Sequence, residues 1–334
     1  MKGLFNITYT TASQARREPI FYIVTGIFGA LVFLSQYFVL FVFQGEEAVV
    51  METGIASITA CGYLLALLLG WLLVRKEMEQ MSILTVLSKP VSRFSFITGK
   101  YLGLLYAISL AVVFLFVMFC LNLWQFDGHR VLNHVENQQY ERYLDAYQSE
   151  SDEEEEASES ETPGANELEV DGSKERLPSG WTVVTDGAYA GLKRFTTKWI
   201  VPGFIGTAPA WLGIAMVLSI TTVFSVFFEV LATTGFTVGF LIAGSLSGSL
   251  YQVLAAAPDA GLIERGLGWI IHLLIPDLFQ LNIASNVGSR LNMTVWELSA
   301  YFYPFLQYAT ITSVLFVGFV LCVGTAIFQR QEIS

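Results

Sequence analysis

The side chains best suited to covalent chemistry are sparse here, and their spacing argues against most reactions. Acyl transfer needs a nucleophile and a base within hydrogen-bond reach. The nearest candidate is Ser247-Gly248 in an apolar run, with His272 further on. An intramembrane serine protease built on Gly-x-Ser-Gly would need glycine at 245, where Ser245 stands, and His272 falls outside any complete span. His129, His134 and His272 fit no metal-ligand spacing. Cys61, Cys120 and Cys322 lie in apolar runs without a CxxC pair and read as buried small hydrophobes. No Gly-x-x-x-x-Gly-Lys-[Ser/Thr] occurs, so the chain is expected to hold no nucleotide and no cofactor of its own and to be no enzyme. Proton or sodium coupling would want ionisable groups in mid-membrane, and the spans have almost none beyond Glu229, near the end of one of them.

What remains is one charged stretch between two apolar runs, residues 75–100. Met78, Met81, Leu84 and Leu87 recur every three residues, with Ile83 and Val86 widening the stripe, while Glu77, Glu79 and Gln80 fall toward the other face. That pattern predicts a short amphipathic helix. Lys89-Pro90 ends it, because proline lacks the N–H and biases its predecessor away from the α region. Ser92 is placed to cap a new helix that carries Arg93, Gly99 and Lys100 into the membrane. An amphipathic helix at a membrane surface with cations beside it is a docking surface; the plainer alternative is a connector that satisfies the positive-inside rule.

The elements around this stretch are membrane helices. The chain has 334 residues, 54% of them hydrophobic and only 14% charged, with mean hydropathy +0.55. These values exclude an ordinary soluble domain. Spans are expected at about residues 20–43, 53–74, 96–124, 208–231, 236–256 and 301–328, each long enough for a hydrocarbon core of about 30 Å. Residues 1–18 read as an interfacial helix with Pro19 at the first turn of span one; being mostly polar, they contain no secretory signal. Gly235, Gly239, Gly244 and Gly248 give span five a face for close helix packing, against another helix of the chain or of a second subunit. The apolar run at 266–275 is too short to span, and Pro276 stops it, which predicts a re-entrant or interfacial segment over 262–285.

The net charge of −11 is almost wholly one insert: residues 124–208 hold 17 acids against seven Lys and Arg. Residues 136–148 are expected to be helical and 149–172, with the run Asp152-Glu153-Glu154-Glu155-Glu156, to be disordered, since they cannot bury enough apolar surface. The chain therefore divides into 1–124 with the loop at 75–100, an acidic insert at 125–207, and 208–334. Lys2, Arg16, Arg17, Arg75, Lys76, Lys89, Arg93, Lys100 and Arg330 gather on one side, against Arg265 and Arg290 in the short loops of the other. The asymmetry puts both termini and the 75–100 loop in the cytoplasm, and the insert outside.

The run Glu77 … Leu84 … Leu87-Ser88-Lys89-Pro90-Val91-Ser92-Arg93 … Gly99-Lys100-Tyr101-Leu102-Gly103 resembles the loop between spans two and three of ABC-2-type transporter permeases. It departs from the family pattern where Met81-Ser82 replaces a Gly-Thr pair. Pro276 to Asn282, Pro-x-Leu-x-x-x-Asn, is similar to the family's segment before its last span. The long insert has no counterpart in this resemblance. The resemblance implies a coupling helix, with Glu77, Met81, Leu84, Leu87, Lys89, Pro90, Arg93 and Lys100 as its ATPase-coupling residues. It implies an exporter in the cell (cytoplasmic or inner) membrane, paired with a second permease subunit. A separate ABC ATPase would bind the ATP and magnesium. Its partners would be that ATPase, the second subunit and the bilayer, with no nucleic acid. The competing functions are a non-transporting membrane scaffold and, on Ser247 and His272, the protease.

Overall fold

The computed structural model describes residues 2–37, 46–79, 93–159, 195–254, 261, 263–268, 275–278, 281, 283–291 and 293–330. The described residues are overwhelmingly helical, with no strand among them. Among the described residues, six helices are long and apolar enough to cross a membrane, at Pro19–Tyr37, Glu46–Leu73, Phe94–Asp127, Thr196–Phe227, Val230–Leu254 and Val295–Phe328. The chain is a multi-pass, all-α membrane protein, as its hydropathy predicts. It forms two compact units, residues 1–122 with 197–334, and residues 123–196.

In the first unit, α1 (Lys2–Arg17) is followed by α2 (Pro19–Leu34). Glu18 is extended between them, with φ −73° and ψ 128°, because the residue before a proline avoids the helical region. The far end of this first span is held by span three. Asn122 is fully buried and donates from Nδ2 to the Phe33 carbonyl at 3.0 Å. Ser35 Oγ stands 3.5 Å from the Asn122 Oδ1. A helix end buried in lipid must have its free carbonyls satisfied, and an asparagine from a neighbour does so.

The core is built from α3 (Glu46–Glu79) and α5 (Val201–Phe227). In the span that contains α5, 72% of the apolar stretch is buried, against half or less in the other five. Glycines let the two backbones approach. A Cβ on Gly62 would collide with Ile214, and one on Gly206 would come within 2.5 Å of Ile55. Gly54 serves the same purpose for Phe119 of span three. The hydroxyls along α5 bond within its own helix: Thr222 donates to Leu218 O at 2.7 Å and Ser219 to Met216 O at 2.7 Å.

Span four starts earlier than the sequence predicts, at Thr196 rather than 208. Pro202, Gly203, Gly206 and Pro209 look like breakers, yet the helix contains them all. A π-helical turn at Thr196–Ile200 precedes Pro202, and Pro209 sits inside α5. Membrane helices accommodate such residues through local π adjustments and close neighbours. The turn to α6 (Val230–Leu254) is tight. Thr233 Oγ1 reaches back to Phe228 O at 3.2 Å, and Thr221 and Thr237 oppose each other across the pair at 3.4 Å.

A short helix, α7 (Ala284–Gly288), packs with Gly288 on Ala48, at the start of α3. The last helix, α8 (Val295–Arg330), also begins before its expected position at 301. Thr294 and Glu297 form a capping box: the Thr294 N–H donates to Glu297 Oε2 at 3.0 Å, and the Glu297 N–H to Thr294 Oγ1 at 3.4 Å. Arg290 stacks on Tyr301 4.5 Å from the ring centroid, beside the exposed Trp296. Such aromatic groups suit a membrane–water boundary.

The fourth helix, α4 (Arg93–Glu159), opens one residue after Ser92 and supplies residues to both units. In the second unit, Trp124 meets the Phe195 ring edge-on with centroids 4.9 Å apart. The helix covers the expected 136–148 and continues to Glu159, so the expectation of disorder from 149 is corrected over that stretch. Glutamate has good helix propensity, and the acidic run propagates the helix without needing a core. Residues 160–194 lie outside the described residues.

Candidate functional site

The stretch that carries the candidate chemistry is described at its two ends. Glu77 lies in the last turn of α3, which runs on through Arg75 and Lys76 to Glu79. Met81, Leu84, Leu87, Lys89 and Pro90 lie outside the described residues. Arg93 is the first residue of α4.

From Phe94 onward the geometry is dense. A Cβ on Gly99 would stand 2.9 Å from the Ile7 side chain. One on Gly103 would stand 2.6 Å from the Thr8 carbonyl oxygen and 2.7 Å from Thr11. The two glycines, four residues apart on one helical face, are the seat on which α1 rests. Thr11, Ala12 and Ala15 of α1 are buried, whereas Phe5 and Tyr9 are exposed. The apolar face that reads as interfacial in the sequence is thus divided, with small residues against protein and aromatics outward.

Between the glycines, Lys100 is only 3% exposed, with its ammonium 5.8 Å from the Phe96 ring centroid. Burial gives this cation surroundings unlike those of a surface docking residue. On another face, buried Tyr101 donates its hydroxyl to Ala215 O of α5 at 3.3 Å. About two turns further along α4, Trp211 Nε1 of α5 donates to Ser109 Oγ at 2.9 Å. The start of α4 is therefore fastened on one side to α1 and on another to the most buried helix of the bundle.

At the entry to span four, Lys198 Nζ lies 2.7 Å from Glu47 Oε1, each side chain about a quarter exposed. The same ammonium sits 5.0 Å from the Trp199 ring centroid. Glu47 is in the first turn of α3, so the pair ties the starts of spans two and four. The sequence shows no motif for it.

The glycines of α6 fall into two groups. Gly244 and Gly248 are covered by the segment before α8: Leu278 donates its N–H to Gly244 O at 3.1 Å, and a Cβ on Gly248 would collide with the Asp277 carboxylate. Gly235 and Gly239 have nothing within 4 Å of a Cβ position. Pro276 is buried in that covering segment; Asn282 lies outside the described residues, as does His272. Ser247, the candidate nucleophile, is buried and donates to Gly244 O of its own helix at 3.3 Å.

Residues 12–126 match the family model of the ABC-2 family transporter proteins. The match supports an ABC-2-type permease. No curated protein matches the chain. The ABC-2 match takes in α1 from Ala12 onward, spans one to three and the whole 75–100 loop, with Gly99 and Gly103. Permeases of the ABC-2 type work with an ATPase subunit, which fits a chain whose sequence holds no P-loop.

Proposed function

We propose that the chain is the membrane subunit of an ATP-driven exporter, with both termini and the 75–100 loop in the cytoplasm. A separate ATPase grips that loop through Met81, Leu84 and Leu87, in the helix-in-groove manner. Two permease subunits, identical or different, flank the path of the substrate. Closure of the ATPases on ATP and magnesium pushes the loop, and the start of α4 conveys the push. The observation that carries this reading is the double fastening of α4, with Gly99 and Gly103 against α1 and Tyr101 against α5. A mere connector needs no such attachment to the core.

The experiment is co-purification with the candidate ATPase, together with ATP hydrolysis. Leu84→Asp puts a charge into an apolar contact and is expected to abolish capture, at a cost of about 1–3 kcal/mol or more. Membrane insertion should persist, since the spans are untouched. Full retention of capture and hydrolysis in Leu84→Asp would reduce the loop to a connector and favour the scaffold reading.

A further inference from the structure

The spans carry almost no ionisable group of their own, but the segment before α8 brings one in among them. Leu278 of that segment bonds to Gly244 O of α6, and the Asp277 carboxylate fills the space that a side chain at 248 would occupy. Leu281 reaches α5, standing 3.5 Å from a Cβ on Gly213. Asp277 thereby lines a small cavity of about 30 Å³, shared with Met216 of α5 and with Tyr308 and Thr312 of α8. Tyr308 and Thr312 stand near the middle of the 36-residue α8, so the cavity lies at the depth of the hydrocarbon.

The hydroxyls around this cavity are not used up inside the protein. Thr310 and Thr325 of α8 donate to the carbonyls of Leu306 and Leu321 at 2.7 Å, as threonines in membrane helices do. Thr312 makes no such bond. Neither it nor the Tyr308 hydroxyl has a hydrogen-bond partner among the described residues. Ser313, the next residue, is 1% exposed, and its Oγ is likewise without a partner.

We propose that this cavity binds one monovalent cation of sodium size, held by the Asp277 carboxylate and the Tyr308 and Thr312 hydroxyl oxygens. Polar groups at this depth cannot turn to bulk water, so each calls for a partner or a bound species. A carboxylate in such surroundings is stabilised most by an opposite charge. The donor set selects the ion. One carboxylate with neutral oxygens supplies a single negative charge, short of the several carboxylates that calcium sites gather, and hard oxygens do not suit a transition metal. A volume of about 30 Å³ admits a water-sized species and excludes an organic cation. The site lies within this chain, and the inference does not depend on the ATPase partner.

The test uses the full chain in nanodiscs, with radioactive sodium binding and the thermal midpoint as readouts. Sodium chloride replaces N-methylglucamine chloride at constant ionic strength. Saturable binding of one sodium per chain is expected, with a midpoint rise of about 2–4 °C. Asp277→Asn should lose both, Thr312→Val should weaken binding about tenfold, and Thr310→Val should change neither. If Asp277→Asn fails to insert, Thr312→Val decides, and wild-type affinity in that variant overturns the proposal. Sodium binding that survives Asp277→Asn places the ion elsewhere and overturns it. An equal midpoint rise with choline chloride reduces the effect to solvent ions and overturns it. A midpoint that responds to acid but not to sodium, with no saturable binding, makes the cavity a proton or water site and overturns it as well.

Discussion

Among the described glycines, Gly103 has the closest backbone neighbour. The nearest atom to its added Cβ would be the Thr8 backbone oxygen at 2.6 Å, which cannot swing aside as a side-chain tip can. Gly103→Val should force α1 off its seat at a cost of about 1–3 kcal/mol. The measurement is trypsin cleavage after Arg16 and Arg17 in the detergent-solubilised protein, expected to accelerate. Gly26→Val is the control, because nothing lies within 4 Å of that position; equal acceleration in both would discard the seat. Glu47 and Lys198 make a second, weaker test. Being partly solvated, their 2.7 Å pair is worth about 0.2–1 kcal/mol. Glu47→Lys should lower the thermal midpoint slightly, and adding Lys198→Glu should restore it. A double variant no more stable than Glu47→Lys alone would mean the pair contributes nothing.

At the scale of elements, α6 separates two uses of small residues. Gly248 is closed over by Asp277, so Gly248→Val should dislodge the 275–278 segment and destabilise the isolated chain. Gly239 is open, and Gly239→Val should leave the monomer's thermal midpoint unchanged. If α6 also faces a second permease subunit, the same substitution should weaken dimer recovery in native electrophoresis. Unchanged dimers in Gly239→Val would remove α6 from the subunit interface. The helix boundaries teach a related lesson. The Thr294-x-x-Glu297 capping box is a legible local start signal for α8. The early start of span four was not legible in the same way. Pro202 and Pro209 weaken a helix by themselves and persist because α3 closes around α5.

For the whole molecule, the decisive property is orientation. The cation asymmetry predicts that Ser334 is cytoplasmic and Ser151 is not. Cysteines at these two positions, probed with a membrane-impermeant maleimide on intact cells, should react at 151 and not at 334. Reaction of both from outside would sink the six-span topology, and reaction at 334 but not at 151 would invert the proposed ATPase side and with it the role of the 75–100 loop.

The sequence by itself determined the number of spans, because lipid tolerates only long apolar helices and those runs are visible residue by residue. It also marked Gly99-Lys100-Tyr101-Leu102-Gly103 as part of a motif, through types and spacing along one segment. What those residues touch was decided only by the tertiary structure. Gly99 and Gly103 meet α1, some ninety residues upstream, and Tyr101 meets Ala215, more than a hundred residues downstream. Lys100, counted among the cytoplasmic cations in the sequence, is buried. The Glu47–Lys198 pair and the cavity that Asp277 shares with α5 and α8 belong to this second class as well. Hydropathy records whether a helix can enter the bilayer, but helix-to-helix contacts in lipid depend on shape, and shape complementarity between distant segments leaves no period in the sequence.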